Sequence, residues 1–155
     1  MEKMNAQRDL DRKLASILGE AEAFHSHLGP FLVIGVRAGL IGLERLKAKR
    51  GDPGLVATVL LRYSIPFSCA VDGVQFTTGC TIGNKRLKLE DSPDIVLRLK
   101  KNDDEVEIAV DRAAYDRLKK DLLAKDLENE EIRKLAYSVA SIDESLLFNV
   151  KLLRA

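Results

Sequence analysis

Both histidines of the 155-residue chain, His25 and His27, fall in the run His-Ser-His-Leu-Gly-Pro at positions 25–30. Two side chains at i and i+2 point the same way only on extended chain and splay apart on a helix. Pro30 disfavours the α region at Gly29, while its own fixed φ and missing N–H suit the first position of a following helix. The spacing predicts a short irregular connector that carries both imidazoles and opens onto a helix N-terminus. Imidazoles so placed can ligate a metal or exchange protons near neutral pH.

The two cysteines supply the softer donors. Cys69 falls at the predicted start of a helix, where unpaired N–H groups and the macrodipole favour a thiolate; plain burial is the competing role of a free cysteine. Cys80 sits in Thr77-Thr78-Gly79-Cys80-Thr81-Ile82-Gly83-Asn84-Lys85, where bracketing glycines let the backbone approach a ligand closely. The Gly-Lys-Ser/Thr signature of a phosphate loop is absent. Were Cys69 to Cys80 one straight helix, a rise of ~1.5 Å per residue would separate them by about 16 Å. That excludes a disulfide, whose Cα atoms lie within about 7 Å, and argues against one metal taking both thiols of a chain. A bend at Gly79, or a site shared between two copies, would relax the limit. A metal bound here is expected to take three protein ligands, His25, His27 and either Cys69 or Cys80, with Cys80 slightly preferred because a loop is easier to bring beside another loop. Three ligands and an open position characterise catalytic zinc.

Asp72 and Gln75 lie at i and i+3 on the helix that Cys69 begins. A carboxylate in a first turn also favours the helix dipole. Arg37 falls inside an apolar helix and needs a partner if buried; Asp72, or the carboxylate of a bound ligand, is a candidate.

Lys plus Arg number 25 and Asp plus Glu 24, so the net charge is +1. With no basic stripe and no aromatic platform, the chain is not expected to bind nucleic acid. The stretch Phe31 to Leu43 carries Arg37 and falls short of the ~20 apolar residues that span a bilayer, so no membrane role is expected. Met1 to Leu14 has no apolar signal-peptide core. Two cysteines do not make a disulfide scaffold. The composition reads as a soluble, cytoplasmic protein.

Leu10, Leu14, Ile17, Leu18, Ala21 and Phe24 recur at helical spacing and predict a helix over about 4–23. A second runs from about Pro30 to Lys49, with Gly35, Gly39 and Gly42 on one face as if against a close neighbour. Leu55 to Ser64 is near-continuously apolar, as for a central strand covered on both sides. Ser68 is expected to N-cap a helix from Cys69 to about Thr78, stopped by Gly79. The period then changes to two: Leu87 and Leu89; Ile95, Leu97 and Leu99; Val106, Ile108 and Val110. Asn102-Asp103-Asp104 joins the last two runs as a hairpin. Helices over about 112–124 and 129–140 follow, then a closing strand through Phe148, Val150 and Leu152. The order predicts one α+β domain over residues 1–155, its mostly antiparallel sheet packed by helices.

Two blocks of the sequence are similar to the E-subunit family of formylmethanofuran dehydrogenase: Phe24-His25-Ser26-His27-Leu28-Gly29-Pro30-Phe31 with Gly35-Val36-Arg37-Ala38-Gly39, and Cys69-Ala70-Val71-Asp72-Gly73-Val74-Gln75 with Thr78-Gly79-Cys80-Thr81. The family pairs a His-Gly-His block before a Gly-x-Arg-x-Gly helix with Cys-x-x-Asp-x-x-Gln and Thr-Gly-Cys-Thr. The resemblance implies an α+β fold, a homodimer, and a pocket able to hold zinc or another divalent transition metal. It assigns the metal-capable positions to His25, His27, Cys69 and Cys80 and the polar pocket positions to Arg37, Asp72, Gln75, Thr78 and Lys85. It also implies a link to methane-producing metabolism, either as a stand-alone protein or as an accessory component of a molybdenum or tungsten formylmethanofuran dehydrogenase. Three departures stand out. Gly29-Pro30-Phe31 replaces a Cys-Pro-Gly found in many members, Gly83-Asn84-Lys85-Arg86 shifts the lysine of a Gly-Lys-Gly-Asn run, and no cysteine follows Cys80.

Overall fold

Pro30 starts the helix around which the rest is arranged. The computed structural model describes residues 1–123 and 126–154, the last by its backbone alone. Helix α1 is Glu2–His25 and helix α2 is Pro30–Arg45, with Gly29 extended ahead of Pro30. Phe31 to Val36, Ala38, Gly39, Ile41 and Gly42 are all buried. A helix apolar on nearly every side has to be covered on nearly every side. One cover is α3, Cys69–Thr78. Another is the sheet, and a third is α5, Asn129–Ser141.

The sheet contains β1 (Leu55–Leu61), β2 (Leu87–Asp91), β3 (Val96–Lys101), β4 (Asp104–Val110) and β5 (Phe148–Arg154), in the order β2-β1-β3-β4-β5. β1 pairs parallel with β2, and every other pairing is antiparallel. Leu97, Leu99, Val106, Ile108 and Val110 are buried on the helix side, while Arg98 and Lys100 face out. α4 (Arg112–Leu123) and the short α6 (Glu144–Leu147) complete the α+β architecture. Among the described residues no helix is long and apolar enough to cross a membrane.

The glycine face of α2 is used twice over. A Cβ on Gly35 would lie 2.0 Å from the Ala70 carbonyl oxygen, and one on Gly39 would lie 1.8 Å from Thr77 Oγ1. The reverse contact is equally close, for a Cβ on Gly73 would lie 2.5 Å from the Val36 nitrogen. α2 and α3 therefore meet backbone to backbone. Gly42 turns instead toward Leu99 and Ile108 of the sheet.

Several boundaries differ from expectation. α1 runs through His25, and the chain leaves the helix only at Ser26, which takes φ 71° and donates its N–H to Glu22. His25 is thus a helix-terminal residue, and only His27 lies on the connector. α2 ends at Arg45 rather than Lys49, with Lys47 at φ 52° closing the turn. β1 stops at Leu61 and is covered on one side only: Val56 and Leu60 are half-buried and pair with Lys100 and Val96. The lysine stem shields apolar surface that would otherwise need a second layer. Ser68 is itself helical in backbone and makes no side-chain cap. Gly79 ends α3 as expected, at φ 74°. The hairpin turns at Asn102, φ 56°. Position 124, the expected end of α4, lies outside the described residues.

Candidate functional site

The close α2–α3 contact fixes where the first turns of α3 stand relative to the end of α1. Asp72 and Gln75, one turn apart, share a face of α3 as their i, i+3 spacing requires. Asp72 Oδ2 lies 2.5 Å from His25 Nδ1. Gln75 Nε2 donates to Asp72 Oδ1 at 3.1 Å, and the Ile82 N–H donates to Gln75 Oε1 at 3.0 Å. A carboxylate only accepts, so the proton of this pair sits on His25 Nδ1 and a neutral imidazole keeps Nε2 bare. The loop after α3 holds Gln75, Gln75 holds Asp72, and Asp72 sets the tautomer of His25.

His25, His27 and Cys69 line one cavity of about 360 Å³, walled by Phe31, Leu32, Ile65, Pro66, Leu122 and Ile132 among others. The walls are mainly apolar, with His25 and His27 at and just after the end of α1 and Asp126 before α5 as polar groups, an arrangement typical of small-molecule sites. Cys69 is half-buried, and burial first, then the neighbouring Asp72 carboxylate, pushes its thiol pKa up. At neutral pH it is a thiol rather than a thiolate. The helix-start argument for an activated cysteine is outweighed here by desolvation.

Other candidates lie elsewhere. Cys80 is fully buried, its thiol 3.4 Å from the Leu55 carbonyl oxygen, and burial raises its pKa as well. Of the two cysteines, the structure brings Cys69 to the histidines and leaves Cys80 in the core. Thr78 is buried and donates to the Val74 carbonyl while accepting the Cys80 N–H. Lys85 is exposed on the loop at φ 62°. Arg37 does not meet Asp72. Its guanidinium donates to the Val139 and Ile142 carbonyls at 2.9 and 2.6 Å, with Asp143 and Glu144 near enough to offset part of its burial. It ties α2 to the end of α5, where exposed helix carbonyls offer acceptors.

Sequence reasoning missed the apolar walls. Ile65 precedes Pro66 on an exposed loop, and a large apolar residue in such a loop is a signal that could have found it. Leu122 and Ile132 arrive from elements distant in the chain and carry no local signal. Among the described residues, no three His, Cys, Asp or Glu side chains group closely enough to hold a metal ion. The Asp72–His25 pair suits the outer shell of a metal ligand, but the described donors of one chain fall short of a three-ligand centre.

Comparison with known proteins places this chain in a family. The family model described as "FmdE, Molybdenum formylmethanofuran dehydrogenase operon" matches residues 24–149. The chain belongs to the FmdE family. The match opens at Phe24, directly before His25, and closes inside β5, so it covers the site and strands β1 to β4 but leaves out most of α1 and most of β5. A "probable S-adenosyl-L-methionine-binding protein" of Archaeoglobus fulgidus is 39% identical over 75 residues, which are 48% of this chain and 20% of that protein. The chain therefore spans about a fifth of the length of that curated relative. A solved tungsten formylmethanofuran dehydrogenase FmdE-like protein from Syntrophus aciditrophicus has a TM-score of 0.57 and 17% identity, covering 92% of this chain and 72% of that one. At that identity the likeness speaks for the fold.

Proposed function

We propose that this FmdE-family chain binds a small ligand in the cavity beside His25, with the ligand's apolar body against Phe31, Leu32, Leu122 and Ile132 and its polar end at the imidazole. The observation that carries this reading is the Asp72–His25 hydrogen bond at the cavity wall. A carboxylate that fixes a histidine tautomer next to an apolar pocket prepares a directional acceptor, Nε2, for a ligand proton. S-adenosylmethionine is a first ligand to try, because the Archaeoglobus relative carries that name; 1-hexanol serves as a plain apolar probe. In methyl NMR, either should shift Leu32, Leu122 and Ile132 in the wild type, and His25→Ala should weaken the effect. If neither compound moves those resonances, the pocket reading fails.

A second reading keeps the metal. The Asp72–His25 arrangement is the one that orients metal-bound imidazoles, so a zinc ion or another divalent transition metal would use His25, His27 and Cys69, with remaining positions filled by the ligand or a second copy of the chain. Such a metal would act as a Lewis acid toward a bound polar group. Metal analysis of protein purified without an affinity tag tests it. Stoichiometric zinc that vanishes in the His25→Ala/His27→Ala double variant supports the reading, and zinc that persists there refutes it. The family's operon description also supports an accessory role beside a formylmethanofuran dehydrogenase; a stoichiometric molybdenum or tungsten enzyme pulled down from native lysate is the result that role requires.

A further inference from the structure

A second cleft, of about 460 Å³, shares His25, His27, Ile65 and Cys69 with the first and lies on the Asp72 side. Tyr63, Val71, Ile82 and Leu89 supply most of its apolar wall, with Ser68 and Gln75 among the polar lining. Among the described lining residues Asp72 is the sole carboxylate, and there is no lysine or arginine. Both Asp72 oxygens already accept one hydrogen bond, from His25 and from Gln75. Neither bond brings a positive charge while the imidazole is neutral. A carboxylate has about four lone-pair sites, and the Asp72 side chain remains 36% exposed, so it can meet an incoming group.

The charge balance decides what kind of group that is. With both imidazoles neutral, an anion would approach a carboxylate with no counter-charge on the wall. A small hydrated metal ion would gain nothing from Tyr63, Ile65 and Ile82, which are 73%, 85% and 55% exposed. An organic cation gains twice: its charge meets Asp72, and its alkyl groups meet apolar and aromatic surface, where a ring attracts cations. The two cavities share His25, His27, Ile65 and Cys69 and so lie side by side.

We infer that the ligand carries, beside the polar group that meets His25, an organic cation, an alkylated ammonium or sulfonium group, seated between Asp72 and Tyr63, with its apolar body in the adjoining pocket. This deepens the pocket reading and rests on it.

The test compares hexyltrimethylammonium, 1-hexanol and hexanoate by NMR on the full chain with labelled Ile, Leu and Val methyls. Val71, Ile82 and Leu89 report on the Asp72 cleft, whereas Leu32, Leu122 and Ile132 report on the apolar pocket. The ammonium probe should bind about fivefold tighter than hexanol, a gain in keeping with a partly exposed charge and ring, and hexanoate should bind most weakly. Asp72→Asn should bring the ammonium probe down to the level of hexanol. Tyr63→Ala, at an exposed position where the fold is not at risk, should reduce the same preference. Hexanol moving the pocket methyls without any preference for the cation would leave the pocket reading standing and overturn this inference. Hexanoate binding tightest, with the effect abolished by a chelator, would indicate a bound metal and overturn it too. No shift from any probe would remove both.

Discussion

Replacing Gly35 by alanine adds one methyl group where the backbones of α2 and α3 meet. On an exposed helix that change stabilises by up to ~1 kcal/mol, since glycine is the poorer helix former. Here the new Cβ would lie 2.0 Å from the Ala70 carbonyl oxygen and 2.8 Å from its carbon. Both atoms are backbone and cannot rotate away. Relief to an ordinary contact of about 3.4 Å requires α2 and α3 to separate by more than ~1 Å, at an overpacking cost of about 1–3 kcal/mol or more. Overpacking therefore outweighs propensity, and Gly35→Ala should lose roughly 1–2 kcal/mol, a fall in Tm of about 3–6 °C for a chain of this size. Gly19→Ala is the control, for its Cβ would meet nothing within 4 Å on the same kind of helix, and it should hold or raise Tm. Urea and thermal denaturation monitored by circular dichroism measure both. If Gly35→Ala proved as stable as Gly19→Ala, the backbone-to-backbone packing that positions Asp72 would be refuted.

Arg37→Ala should cost about 1–3 kcal/mol in the same assay, because the Val139 and Ile142 carbonyls lose their donor; an unchanged midpoint would show that α5 does not depend on the tie. Iodoacetamide should modify Cys69 slowly at pH 7–8, and Asp72→Asn should speed it by roughly twofold or more, since removing a nearby like charge favours the thiolate; an unchanged or slower rate contradicts the assigned neighbour. Both thiols are raised by burial, so the unfolded chain ionises first, and stability held at neutral pH should decline as pH climbs past the ordinary thiol range. Replacing both cysteines by serine should flatten that alkaline limb, and an unaltered limb would assign it to other groups. Sedimentation equilibrium at micromolar concentration should give the mass of two chains, as the family resemblance implies; the mass of one chain would confine the site to a single copy.

How much of this was legible in the sequence depended on whether the cause was local. The hairpin at Asn102, the stop at Gly79, the start at Pro30 and the period-two strands follow from nearest neighbours, and the structure has them. The glycines at 35 and 39 announce a close partner, although only the structure shows that it is the backbone of α3 and that Gly73 returns the contact. The pairing of Asp72 with Gln75 is visible as helical spacing, but the reach from Asp72 to His25 spans separate helices and could not be read. For both cysteines burial set the outcome. Cys69 at a helix start is not a thiolate because desolvation dominates, and Cys80 on a glycine-bracketed loop turns its sulfur inward to Leu55. Arg37 does need a partner, as its apolar setting demands, yet it finds carbonyls at a helix end that no sequence spacing could point to.

The central claim is that Asp72 holds the neutral form of His25 with its proton on Nδ1, leaving Nε2 as the acceptor for a pocket ligand. Long-range proton–nitrogen NMR on protein labelled with nitrogen-15 histidine reads this directly, with only His25 and His27 to assign. The account predicts that the neutral form of His25 carries its proton on Nδ1, that Asp72→Asn switches it toward the Nε2-protonated form, and that the Nε2 resonance shifts when a pocket ligand is added. An Nε2-protonated His25 in the wild-type protein, unaffected by Asp72→Asn, would contradict it.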